Sequence, residues 1–102
     1  MKAIIQGKLY DTDTADELGD TSYSNRSDFR FWAETLYRTR GGAYFIAGEG
    51  GPMSMYAREC GRNETAGGEA IRVVTEADAR EWMERNSDAD AYIAAFGEPE
   101  GA

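Results

Sequence analysis

The feature that most constrains this chain is the stretch "FRFWAETLYRTRGGAYFIA", residues 29–47, where two runs rich in aromatic and β-branched residues flank Gly41 and Gly42. Two such runs about a pair of glycines are a β-hairpin signal, because glycine accepts the positive φ of tight hairpin turns without steric cost. With the glycines as the two loop residues, Arg40 is expected to face Ala43, Thr39 to face Tyr44 and Tyr37 to face Ile46. That register sets aromatic and aliphatic side chains side by side across the strands.

The segment after the hairpin is rich in glycine as well. Gly48, Gly50 and Gly51 do not match a dinucleotide fingerprint, since Met53 stands where its third glycine belongs, and the Lys and Ser/Thr of a phosphate loop are missing. Pro52 suits the first turn of a helix and Gly61 the position just past its end, with Met53, Tyr56 and Cys60 at helical spacing between them. The sequence therefore predicts a strand that turns sharply into a short helix over residues 53–60. Glu49, Ser54, Met55 and Tyr56 on this corner are candidates for a partner-binding surface.

The remaining segments fill in an α+β architecture. "KAIIQGKLYD" reads as strands near residues 2–5 and 8–10 about Gln6 and Gly7. "DTDTADELGD" imitates the start of a calcium loop through Asp11 and Asp13. Its sixth position is Asp16, where the sharp turn needs glycine, and its twelfth is Ser22, where a bidentate Glu belongs. A turn or strand entry is expected there instead, then a polar loop or irregular strand over residues 21–28. "RNETAGGEA" reads as a loop and "IRVV" as a short strand, central and buried. Thr75 caps a helix with Ala79, Trp82 and Met83 on its apolar stripe, leaving Glu76, Arg80, Glu81, Glu84 and Arg85 to solvent. Ser87, with Asp90 three residues on, is expected to cap a second helix that turns Tyr92, Ile93 and Phe96 inward and ends at Gly97. Residues 97–102 form a frayed acidic tail. The sum is one α+β domain over residues 1–102, an antiparallel sheet of about five strands with two or three short helices. The C-terminal helices should pack on one face, with Trp32, Trp82 and Phe96 meeting in the core.

At 102 residues the chain can hold one modest core and no interdomain cleft. The single Cys60 cannot form an internal disulfide and reads as a small buried hydrophobe. No apolar run is long enough to cross a bilayer, and no charged leader precedes one of signal-peptide length, so a cytoplasmic protein is expected. The chain contains no histidine, and its only lysines are Lys2 and Lys8, which leaves no ready general base near neutral pH. No spacing of Cys and carboxylates defines a metal site. The reading is a non-enzyme with no catalytic residues, no cofactor and no metal.

Charge points toward partners. Eleven basic against nineteen acidic side chains give a net charge of −8, a poor match for nucleic acid or an anionic membrane. The imbalance is uneven: residues 69–102 carry three basic and nine acidic groups, whereas residues 29–68 carry five and four.

The segments "GKLYDTDTA", "ETLYRTRGGAYFIAGEGGPMSMYA", "TEADAREW" and "AAFGEPE" together resemble a group of small acidic proteins common on phages, plasmids and conjugative elements of Gram-positive bacteria. The resemblance covers most of the chain and is most specific in "LYRT…G.YF..GEGG". It implies a mobile-element setting, a bacterial host cytoplasm, and a likeness in size and charge to anti-CRISPR and anti-restriction inhibitors. It carries over no catalytic residues.

Two functions are weighed. In the first, the protein is a non-enzymatic inhibitor of a bacterial defence system, anti-CRISPR-like, whose acidic helix face acts as a DNA mimic in a nucleic-acid groove of a protein partner. Carboxylates three or four residues apart on a helix are neighbours, so Glu76, Glu81, Glu84, Asp88 and Asp90 are the candidates. In the second, it is a structural or regulatory module of a mobile element. It would form a homo-oligomer or bind a partner through its aromatic hairpin and the corner from Gly48 to Tyr56, exposing some of Phe29, Phe31, Tyr44 and Met55.

Overall fold

The computed structural model describes residues 1–102 and shows an α+β domain. Its centre is a four-stranded antiparallel sheet of β3 (Asp16–Tyr23), β4 (Trp32–Arg38), β5 (Tyr44–Gly50) and β8 (Gly68–Val74), in the order β3-β4-β5-β8. Two separate ribbons complete the β-structure, β1 (Lys2–Ile5) with β2 (Lys8–Asp11) and β6 (Arg58–Gly61) with β7 (Glu64–Ala66). The helices α1 (Glu76–Asn86) and α2 (Ala89–Phe96) follow at the C-terminus. The expected single sheet of about five strands is thus one sheet of four, with one ribbon ahead of it in sequence and another inserted between β5 and β8.

The hairpin forms about Gly41 and Gly42 with a register one residue from the expected one. Arg38 pairs with Tyr44, Tyr37 with Phe45 and Leu36 with Ile46. The loop is five residues long, because Thr39 closes it: its N–H donates to the Ala43 carbonyl at 2.8 Å, and its Oγ1 accepts from the Ala43 N–H at 3.0 Å. Only Gly42, at φ 90°, uses left-handed backbone. The slip matters because side chains alternate between the faces of a sheet, so the pairing fixes what lies beside what.

Two cores result, one on each face. On one face Leu36, Tyr44 and Ile46 meet Ala79, Trp82 and Met83 of α1 and Ala95 of α2. On the other, Phe45 and Ala47 are covered by Tyr10 of the first ribbon. The Phe45 ring lies edge-on to Tyr10 at 5.6 Å and stacks on Tyr37 at 5.1 Å. Strand β5 is buried from Tyr44 to Gly48, which makes it the central strand of a three-layer arrangement. Helix α1 is capped by Thr75, whose hydroxyl accepts from the Asp78 N–H at 3.1 Å. Arg38 of β4 donates to the Ala95 carbonyl at 2.8 Å and so ties the last turn of α2 to the sheet.

Several expectations are corrected. Residues 53–60 form no helix: a turn follows Pro52, and Arg58–Gly61 is a strand, because "RECGRNETA" closes its own hairpin through Asn63 at φ 60°. The stretch read as a loop is thereby β7 and the start of β8, and "IRVV" completes an edge strand with Arg72 and Val73 exposed rather than a central, buried one. Cys60 lies on that ribbon and is exposed rather than buried. Of the stretch read as a polar loop or irregular strand, residues 21–23 belong to β3, which carries a bulge between Glu17 and Gly19. Trp32 does not join Trp82 and Phe96; it stacks on Tyr23 at 6.4 Å, at the end of the sheet the helices do not reach. Ser87 ends α1, and Asp88 is the cap of α2, accepting from the Ala91 N–H at 2.8 Å. Ile93 is exposed, and Ala95 takes the inward position.

Phe45 is fully buried between two aromatic neighbours. Phe45→Ala is expected to cost about 3–5 kcal/mol in urea unfolding. Ile4→Ala, at a site 75% exposed, should stay within about 0.5 kcal/mol of the parent.

Candidate functional site

The glycines after the hairpin act through what they lack. Strand β5 runs on through Gly48, Glu49 and Gly50, and the residues after it fold back over the same face that the helices cover. A Cβ on Gly48 would stand 2.0 Å from the Tyr56 hydroxyl, and one on Gly50 would stand 2.2 Å from the Ser54 hydroxyl. The glycines flatten the sheet so that these two side chains can lie on it. Ser54 is fixed by donating to the Gly51 carbonyl at 2.7 Å and accepting from the Tyr56 N–H at 3.1 Å.

This fold-back delivers the Tyr56 phenol to Glu34. Glu34 projects from β4 on the helix-facing side and is buried, the one charged side chain that is. Its carboxylate accepts from the Tyr56 hydroxyl and from the Trp82 indole N–H at 3.1 Å, and Arg72 of β8 approaches it at 3.4 Å. A buried carboxylate without donors would be costly; here two neutral donors and one cation meet it. Burial and the Glu34 carboxylate push the Tyr56 phenol up to about 12. The arrangement joins sheet, helix and fold-back, and it turns the hydroxyl of the half-buried Tyr56 toward Glu34.

The surface of the corner is therefore not the one expected. Of Glu49, Ser54, Met55 and Tyr56, only Met55 projects freely, at 62% exposure. Glu49 is engaged by Arg26. Phe29 and Met53 stand out beside Met55, joined by a 2.8 Å bond from the Met53 N–H to the Phe29 carbonyl. Of the other aromatics expected on this surface, Tyr44 is buried and Phe31 lies under the Arg26 guanidinium.

The acidic candidates are all exposed, and their partners divide them. Glu76 pairs with Arg80 at 3.5 Å, and Glu81 pairs with Arg85, both one helical turn apart. Glu84, Asp88 and Asp90 have no basic partner within ion-pair distance. Glu84 and Asp88 border a groove of about 330 Å³ between the helices, with Tyr92, Ile93 and Pro99 among its walls. A second groove, about 520 Å³, lies at the start of β8 and is lined by Arg26, Arg58, Glu49 and Glu69 over glycine backbone. Glu34, Arg72 and the Arg26–Arg58 groove were not singled out from sequence. The one available signal was the acidic residue inside "FWAETLY", a run otherwise suited to a buried strand.

Comparison with protein-family models, with curated proteins and with solved structures finds no match.

Two outcomes are expected of the Glu34 junction. Gly48→Ala forces the Tyr56 ring off the sheet and should cost about 1–3 kcal/mol of stability by thermal or urea unfolding. The Tyr56 phenol has a folded pKa of about 12, above its unfolded value of about 10. Its contribution to stability is thus complete below about pH 10 and is lost as pH rises toward 12. Urea unfolding across this range should show that alkaline loss in the parent and a smaller one in Tyr56→Phe.

Proposed function

We propose that this protein acts without catalysis, as an inhibitor that binds a protein of a bacterial defence system and offers an acidic surface to a basic groove built for nucleic acid. The observation that supports it most is the end of the helical layer. There Glu84 and Asp88 border one apolar-walled groove, Asp90 comes next in the first turn of α2, and no arginine neutralises any of the three. Carboxylates beside an apolar floor suit long basic side chains, whose methylene stems pack while their charged heads pair. Glu76 and Glu81 contribute less, since each already spends its charge on an arginine of its own helix. The resemblance to small acidic mobile-element proteins agrees with this reading, and the target belongs to the host rather than to this chain.

A second reading is favoured by a separate observation. Phe29, Met53 and Met55 are each more than 60% exposed at one corner, an apolar cluster suited to a partner of the mobile element itself.

One experiment separates the two. Glu84→Lys with Asp90→Lys moves the net charge from −8 to about −4 while leaving the Thr75 and Asp88 caps in place. On the acidic reading, inhibition of the defence system in a plaque or cleavage assay is lost. Binding of the parent to its target should also weaken steeply with added salt. Inhibition that survives the double variant, with circular dichroism showing an intact fold, together with loss on Met53→Ser and Met55→Ser, would transfer the function to the apolar corner.

A further inference from the structure

The central sheet has two edges, and they are not alike. Edge strand β3 carries Asp16, Glu17 and Asp20 and is interrupted by a bulge between Glu17 and Gly19, two devices that keep another strand from adding. Edge strand β8, "GEAIRVV", has no bulge, no proline and no lysine over seven residues. The pairing with β5 decides which of its backbone groups are free. Thr39 donates to Ala43 and Gly51 donates to Phe31, so the odd-numbered residues of β5 direct their N–H and C=O toward β4. The even-numbered ones then turn to β8 and bond Gly68, Ala70, Arg72 and Val74. The N–H and C=O of Glu69, Ile71 and Val73 therefore point out of the sheet, and no hydrogen bond engages them.

We propose that this edge pairs with the same edge of a second copy of the chain, in an antiparallel, two-fold arrangement centred on Ile71. The occupant is chosen by self-complementarity. With Ile71 opposite Ile71 of the second copy, Glu69 lies opposite Val73 and Val73 opposite Glu69, so every outward residue meets an outward residue. Six backbone hydrogen bonds close, and the two sheets become one of eight strands. On the other face Ala70 lies opposite Arg72, and Gly68 opposite Val74. No like charges stand opposite each other, and Val73, 42% exposed in the single chain, gains a neighbour. Charge along the β8 side is balanced, Arg26 and Arg58 against Glu49 and Glu69 in the groove at its start and Arg72 and Arg85 against Asp78 and Glu81 beside Val74, so two chains of net charge −8 meet there with less repulsion than at the acidic β3 edge. This pairing is independent of the acidic groove between the helices.

Sedimentation equilibrium of the full chain at physiological ionic strength, over a wide range of concentration, tests the proposal. A monomer–dimer equilibrium is expected. Val73→Glu sets a carboxylate opposite Glu69 at both ends of the pairing and should weaken the dimer about tenfold. Adding Glu69→Lys to that variant turns both pairs into opposite charges and should restore association. Both positions are exposed, and circular dichroism of each variant checks that the fold is kept. A chain that stays monomeric at every concentration, as it would if the edge served only a foreign strand, overturns the proposal. So does a dimer indifferent to Val73→Glu, or a double variant that fails to recover.

Discussion

The carboxylate of Glu34 is where three parts of the molecule are fastened to one another. It sits mid-strand in β4, and the Trp82 indole of α1, the Tyr56 phenol of the fold-back and the Arg72 guanidinium of β8 converge on it. A leucine in its place would bury well enough, but it would leave an indole N–H and a phenolic O–H without acceptors in a partly closed site. The carboxylate therefore does more for specificity than for net stability. It gives the Trp82 indole of α1 and the Tyr56 phenol of the fold-back a shared acceptor, so the position of each agrees with that of the other.

The glycine series depends on the same junction. Tyr56 can reach Glu34 only by lying flat across β5, and β5 can accept it only because Gly48 has no side chain; Gly50 does the same for Ser54. The stretch that resembles a ligand loop is thus a place where the chain packs against itself. A consequence is the division of the helix-facing side into two covers. The helices lie over Leu36, Tyr44 and Ile46, and the fold-back lies over Gly48 and Gly50, with Glu34 at the boundary.

The sequence made the fold class legible because its strongest signals are local: alternation on either side of Gly41 and Gly42, and the Thr75 cap ahead of Ala79, Trp82 and Met83. What escaped was decided by particular side-chain contacts rather than by propensity. Thr39 closing a five-residue loop shifts the register by one, and no propensity distinguishes that from a two-residue turn. Pro52 followed by residues at helical spacing satisfies the rules for a helix, yet Ser54 and Tyr56 are claimed by the glycines of β5 and the helix never starts. Among the candidate surface residues the carboxylates of α1 and α2 were correctly placed outside. Their division into paired and unpaired sets depends on where Arg80 and Arg85 fall one turn later, and there the four-residue spacing within "EADAREWMERN" already held the answer.

Charge and edge design together give the molecule two unlike sides. Helix α2 packs against β3, so the α1–α2 groove bordered by Glu84 and Asp88 lies toward the sheet edge that carries Asp16, Glu17 and Asp20. At that edge burial first, and then the carboxylates of Glu17, Asp13 and Asp20, hold the Tyr37 phenol above its ordinary range. On the far side Arg26, Arg58 and Arg72 offset Glu49 and Glu69, and the backbone of β8 is open. A chain of net charge −8 that only needed solubility could spread its carboxylates evenly. On the proposed readings, gathering them toward one sheet edge would leave long-range attraction to a basic partner to that side and short-range strand pairing to the other, where the outward backbone groups of β8 are unpaired.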